Sequence, residues 1–222
     1  MHIGDTTEVK VWDHPIRLFH WALVALVAAL WLTGEFGALD IHMVLGVWVL
    51  VLVAFRLGWG VVGSPTARFT HFIRGPRAIR DYLVAARAGA VRSVGHNPLG
   101  ALSVLALLGI VGAQAVSGLF TTDDIVTNGP LVSQVSSKTA ALLSSLHRIG
   151  AKLILALVAV HLAAVAFYTL VKKDDLIRAM ITGTKRVPRG VDGIVYAHPL
   201  IALAVLAAAC ALVWGGLALA GH

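Results

Sequence analysis

Five long apolar runs, at roughly 18–32, 41–59, 99–120, 146–171 and 199–221, divide this chain of 222 residues. A lipid core about 30 Å thick takes about 20 helical residues to cross. Backbone groups in lipid must satisfy one another, so runs of this length are helices. The pattern predicts an all-α, polytopic membrane bundle. The first run is short, and Pro15 and Ile16 extend it into the headgroups. The mean hydropathy of +0.85 agrees. So does a charged fraction of 13%, against about 25% for a soluble domain.

The charges set the expected orientation. Lys10 and Arg17 precede the first run, seven arginines lie between Arg56 and Arg92, and six basic residues lie between Lys172 and Arg189. Only Lys138, Arg148 and Lys152 fall on the other side, so fifteen of the 18 share one face. Lys and Arg accumulate on the cytoplasmic side. The N-terminus is therefore expected inside and the C-terminus outside. Membrane topology, and not nucleic-acid binding, accounts for the formal charge of +7. Residues 1–10 have no apolar core before a cleavage site, so no cleavable signal peptide is expected. The single cysteine, Cys210, reads as an apolar filler. It excludes a disulfide, an iron–sulfur cluster or a c-type haem attachment.

Between the runs, residues 76–88 place Ile79, Tyr82 and Leu83 at helical spacing with Arg77 and Arg80 elsewhere. That pattern predicts a short helix, lying on the inner membrane surface or packed on the end of the bundle. Residues 174–181 are expected to continue the fourth helix. The segment 121–145, with Asp123 and Asp124, is expected to be a long outer loop.

His147 and His161 lie fourteen residues apart on the fourth run. At about 100° and 1.5 Å per residue, they project from nearly one face about 21 Å apart. They cannot share a metal. His20 begins an outward-running helix and His42 an inward-running one. Depth therefore matches His20 with His161 near the inner face and His42 with His147 near the outer face. Ionisable groups inside a membrane are costly and functional by default. His96 and His198 precede prolines, where capping or interfacial roles are expected. His14 is a weaker alternative ligand. His71 lies in a basic loop, and His2 and His222 are terminal.

Two histidine pairs at two depths suit two bis-histidine haems. Zinc takes four ligands around one ion, and no carboxylate lies deep in any run. Gly34, Gly46, Gly109, Gly112, Gly118 and Gly150 allow a macrocycle or a neighbouring backbone to approach. Arg17, Arg56 and Arg148 stand at depths suited to haem propionates or lipid phosphates.

The motifs Trp12-Asp13-His14-Pro15-Ile16-Arg17-Leu18-Phe19-His20-Trp21, His42-Met43-Val44-Leu45-Gly46 and Arg56-Leu57-Gly58-Trp59-Gly60 resemble the bacterial cytochrome b561 family. That family includes the b-type subunits of membrane nickel-iron hydrogenases. Arg74-Gly75-Pro76, His96-Asn97-Pro98-Leu99-Gly100-Ala101, His147-Arg148-Ile149-Gly150 with His161, and Lys172-Lys173-Asp174 fit the same pattern. The resemblance covers about residues 9–185. It implies a four-helix core with two b haems held by His20, His42, His147 and His161, in a bacterial inner membrane. The expected division is a di-haem domain over 1–190 and an additional helix over 191–222.

Stacked haems with both axial positions filled make an electron wire. The expected function is electron transfer between the quinone pool and a periplasmic or membrane-anchored redox protein. A hydrogenase, a c-type cytochrome or another dehydrogenase would serve. Gln114 and His96 are candidates for a quinone pocket. The alternative is a stand-alone quinol oxidase that reduces superoxide or another small acceptor. A homo-oligomer stays open.

Overall fold

The computed structural model describes residues 6–87, 95–123 and 127–221. Arg92 and Asp124, like His2 and His222, lie outside the described residues. A short strand, β1 (Thr6–Lys10), precedes α1 (His14–Glu35) and α2 (Leu39–Val62). The short helix α3 (Phe69–Phe72) and then α4 (Pro76–Arg87) lead to α5 (Pro98–Gly118). The last elements are α6 (Ser137–Leu170), α7 (Leu176–Thr182), β2 (Thr184–Pro188) and α8 (Pro199–Ala220). Five of these helices, α1, α2, α5, α6 and α8, are long and apolar enough to cross a membrane. The chain is a helical membrane bundle. β1, α4, α7 and β2 gather at its basic end.

Local chemistry starts each span. Asp13 caps α1 by accepting the Ile16 N–H at 2.8 Å, just before Pro15. Asn97 accepts the Gly100 N–H at 2.7 Å to open α5. His198 opens α8 through the Leu200 N–H at 3.3 Å, the capping role expected of it. A side-chain acceptor at this position satisfies a backbone donor that the helix cannot.

Three features depart from the sequence expectation. Ser136 accepts the Thr139 N–H at 3.2 Å, so α6 begins at Ser137, well before the apolar run at 146. The outer loop is correspondingly shorter. The fourth helix does not continue through 174–181. It stops at Leu170, and Lys173 turns left-handed at φ 54°, separating α7 as its own helix. The third feature is the antiparallel pairing of β1 with β2, with Val9 opposite Lys185. It ties the N-terminal segment to the chain after α7 and buries Val9, Val11 and Val187 together.

α2 is the central helix, packed against α1, α5 and α8. At Gly58 an added Cβ would sit 2.8 Å from Val205 of α8, so only glycine permits this approach. Trp48 and Trp214 meet edge to face at 6.2 Å. The Ala197 N–H binds Ser64 Oγ at 2.9 Å, and Gln134 binds the Ala220 carbonyl at 2.8 Å. The fifth span is thereby fastened at both ends. α6 lies along α5, and its backbone approaches α1 and α2 only at isolated points. Side chains bridge that wider gap at mid-height, where Ile154 and Val158 of α6 meet Val49, Val53, Leu23 and Leu26.

Candidate functional site

The four histidines lie on the helices that border this gap. His42 of α2 and His147 of α6 face each other at the end opposite the basic one, with ring centres 6.2 Å apart and planes at 76°. Each Nδ1 is taken by a carbonyl on a neighbouring helix: His42 by Leu30 O at 3.0 Å, His147 by Gln114 O at 3.0 Å. Thr33 and Ser117 hydroxyls stand at 3.3 and 3.2 Å from the same atoms. A carbonyl accepts only, so each ring carries its proton on Nδ1 and presents a bare Nε2. Such an outer hydrogen bond sets tautomer and orientation in metal-ligating histidines.

Glycines make this possible. A Cβ at Gly118 would come within 2.9 Å of the His147 ring, and one at Gly34 within 3.5 Å of the His42 ring. Two of the glycines singled out in the sequence thus seat imidazoles. Gly150 lies against Gln114, whose amide donates to the His147 carbonyl at 2.9 Å. Gly46 and Gly109 face open space.

The second pair is looser. His20 of α1 lies within electrostatic reach of His161 of α6. The His20 ring stands edge-on to Trp21 at 5.0 Å, and its Nδ1 is buried without a partner. All four histidines are half-buried. The apolar cluster of Val49, Val53, Leu108, Val111 and Ile154 occupies the middle of the bundle, with Phe19 and Leu23 of α1 packed on it.

An imidazole nitrogen binds a first-row metal at about 2 Å, so two rings on opposite sides of one metal have centres about 6.3 Å apart. The His42–His147 spacing of 6.2 Å fits. The orphaned His20 Nδ1 fits as well. Among the described residues no three His, Cys, Asp or Glu side chains converge. Among the described histidines, His42 and His147 alone face each other as a pair, an arrangement that would suit a macrocycle supplying further ligands itself.

A cleft of about 150 Å³ reaches His42 and His147 from the surface at the end opposite the basic one, with Met43, Asp123 and Arg148 at its walls. Ser144, buried at the foot of α6, holds the Thr122 N–H beside it at 3.0 Å.

The three expected arginines separate. Arg148 is exposed and lines this cleft. Arg17 gives its guanidinium to the Ile181 carbonyl, tying α1 to α7. Arg56 is 3% exposed and lies over Phe69, 4.7 Å from the ring centre. Gly60 allows this, because a Cβ there would collide with the Phe69 ring.

Sequence reasoning missed Asp13 and Trp59. Asp13, 2% exposed, caps α1 with Oδ1 and accepts the Trp59 indole N–H at 3.1 Å with Oδ2. The available signal was an aspartate two residues before a helix-opening proline. His96 does not cap. Its ring packs against Trp12 at 4.6 Å and Phe72 at 4.8 Å. Burial, and then the Arg56 charge, lowers its pKa to about 4, so the ring is neutral at physiological pH.

A probable Ni/Fe-hydrogenase B-type cytochrome subunit of Azotobacter chroococcum mcd 1 is 23% identical over 217 residues, covering 82% of this chain and 90% of that protein. No solved structure matches the chain. Residues 11–183, which hold all four histidines and the first four spans, match the family described as prokaryotic cytochrome b561, and the chain belongs to that family of membrane b-type cytochromes.

Proposed function

We propose that the chain is a di-haem electron-transfer subunit, with His20 and His161 holding an inner haem b and His42 and His147 an outer one. The facing of His42 and His147 at 6.2 Å, with both Nδ1 atoms occupied by carbonyls, carries the reading. Haem supplies the one-electron chemistry that side chains lack. The Leu30 and Gln114 carbonyls hold the imidazoles in one tautomer, so little reorganisation accompanies a change of charge between them. Held by paired imidazoles, a haem would supply electron transfer and not dioxygen binding. The mid-height apolar cluster excludes water between the two levels.

The basic end, with β1, α4 and α7, faces the cytoplasm of a bacterial inner membrane, and the cleft beside His42 and His147 faces the periplasm. The accumulation of Lys and Arg at that end supports this orientation. Electrons pass between the quinone pool and a redox protein at the outer face. The hydrogenase named in the relative's description makes a hydrogenase a candidate partner, docking over the cleft walled by Asp123 and Arg148.

The test is haem content of the purified protein. Two low-spin b haems per chain are expected. His161→Ala should lose the inner haem and His42→Ala the outer one. One haem per chain, or full content in His161→Ala, overturns the scheme. Copurification of a large redox partner supports a subunit. Rapid quinol oxidation by the isolated chain with a small acceptor supports a stand-alone oxidase instead.

A further inference from the structure

Arg56 carries its charge into the bundle without a matching anion. Asp13 attracts it, but both Asp13 oxygens are engaged, by the Ile16 N–H and the Trp59 indole. Arg56 makes no ion pair among the described residues. Phe69 at 4.7 Å and Phe72 at 6.0 Å pin its guanidinium, and Nη1 is buried with no hydrogen-bond partner. His96 packs on the same Phe72 ring, 4.8 Å from its centre, and its Nδ1 is also buried without a partner. A buried donor left unmade is costly, and a charged one more so. A cationic and a neutral donor against one aromatic ring suit the two oxygens of a carboxylate.

The niche lies at the level of the inner histidines. Ile16 of α1 packs on Phe55 and Trp59 of α2, which flank Arg56. His20 is one helical turn further along the same face of α1.

We propose that Arg56 and His96 form a buried carboxylate site that holds a propionate of the inner haem. The inference rests on the haem reading above. Arg56 Nη1 donates to one oxygen and His96 Nδ1 to the other. The fixed positive charge makes the inner centre easier to reduce than a solvent-exposed propionate would. A fatty-acid carboxylate offers the same chemistry, and an isotope separates the two sources.

The experiment uses the haem-loaded protein, with haem carrying carbon-13 in its propionate carboxyls. Redox-difference infrared spectra should show a carboxylate band that moves with the label. In Arg56→Gln that band should shift, the inner-haem midpoint potential should fall, and inner haem should be lost roughly tenfold faster. Outer-haem properties should not move. His96→Leu should act in the same direction but less, and Arg56→Lys should restore part of the effect. If Arg56→Gln fails to fold, His96→Leu with the labelled haem carries the same test. A band that ignores the label assigns the niche to another carboxylate and overturns the proposal. So do two haems whose potentials and band do not respond to either variant. A wild-type protein lacking the inner haem overturns the haem reading itself.

Discussion

The His42 and His147 rings stand 6.2 Å apart at 76° to each other, each anchored through Nδ1 to the backbone of a third or fourth helix. Two spans that border the gap are thus joined by their imidazoles, and α1 and α5 supply the carbonyls that aim them. Gly118 leaves the room His147 needs. Gly118→Val should therefore displace that ring and lower outer-haem content by half or more, with the inner haem retained. Gly34→Ala, whose Cβ would be in ordinary contact at 3.5 Å, should be tolerated. Haem per protein, with the two components resolved in the reduced spectrum, checks both.

Asp13 joins the start of α1 to Trp59 of α2. Asp13→Ala removes a cap, at about 0.5–2 kcal/mol, and leaves the buried Trp59 N–H without its acceptor, at about 1–3 kcal/mol. The expected loss is about 1.5–5 kcal/mol. Asp13→Asn, which keeps one acceptor, should lose less. Thermal inactivation in detergent, followed by haem release, measures the order. Equal stability of the alanine variant and wild type would show that the cap is redundant.

Tyr82 of α4 and Tyr168 of α6 share a hydrogen bond of 2.8 Å between their hydroxyls. Burial, then this bond and the nearby Asp174 charge, pushes the Tyr82 phenol above its ordinary value of 10.0. The folded chain keeps a proton that the unfolded chain releases first. The stabilisation is therefore complete below pH 10 and declines as pH rises beyond it. Tyr82→Phe should flatten the alkaline loss of stability above pH 10 and leave the neutral range less affected. An unchanged alkaline profile would place the sensitivity elsewhere.

The orientation makes a prediction of its own. A reporter fused after Lys173 should read cytoplasmic, and one inserted after Gln134, beside the end of α8, periplasmic. The reverse result exchanges inner and outer haems and reverses the wire.

The spans were legible because each is a run of apolar residues long enough to cross lipid, and a helix is the structure that satisfies its backbone there. The spacing of His147 and His161 along α6 followed from the helical rise alone. Orientation remains a proposal drawn from where Lys and Arg accumulate. Other features depend on residues far apart in the chain. Thr6–Lys10 finds its strand partner only after α7. The carbonyls of Leu30 and Gln114 meet His42 and His147 because three helix interfaces bring them there. Arg17, Arg56 and Arg148 looked alike as basic residues at helix ends. Packing sent one to the Ile181 carbonyl, buried one between Phe69 and Phe72, and left one on the surface. Hydropathy and helical spacing act along the chain and can be read from it. Which donor meets which acceptor is decided by distances across the bundle, and only folding sets those.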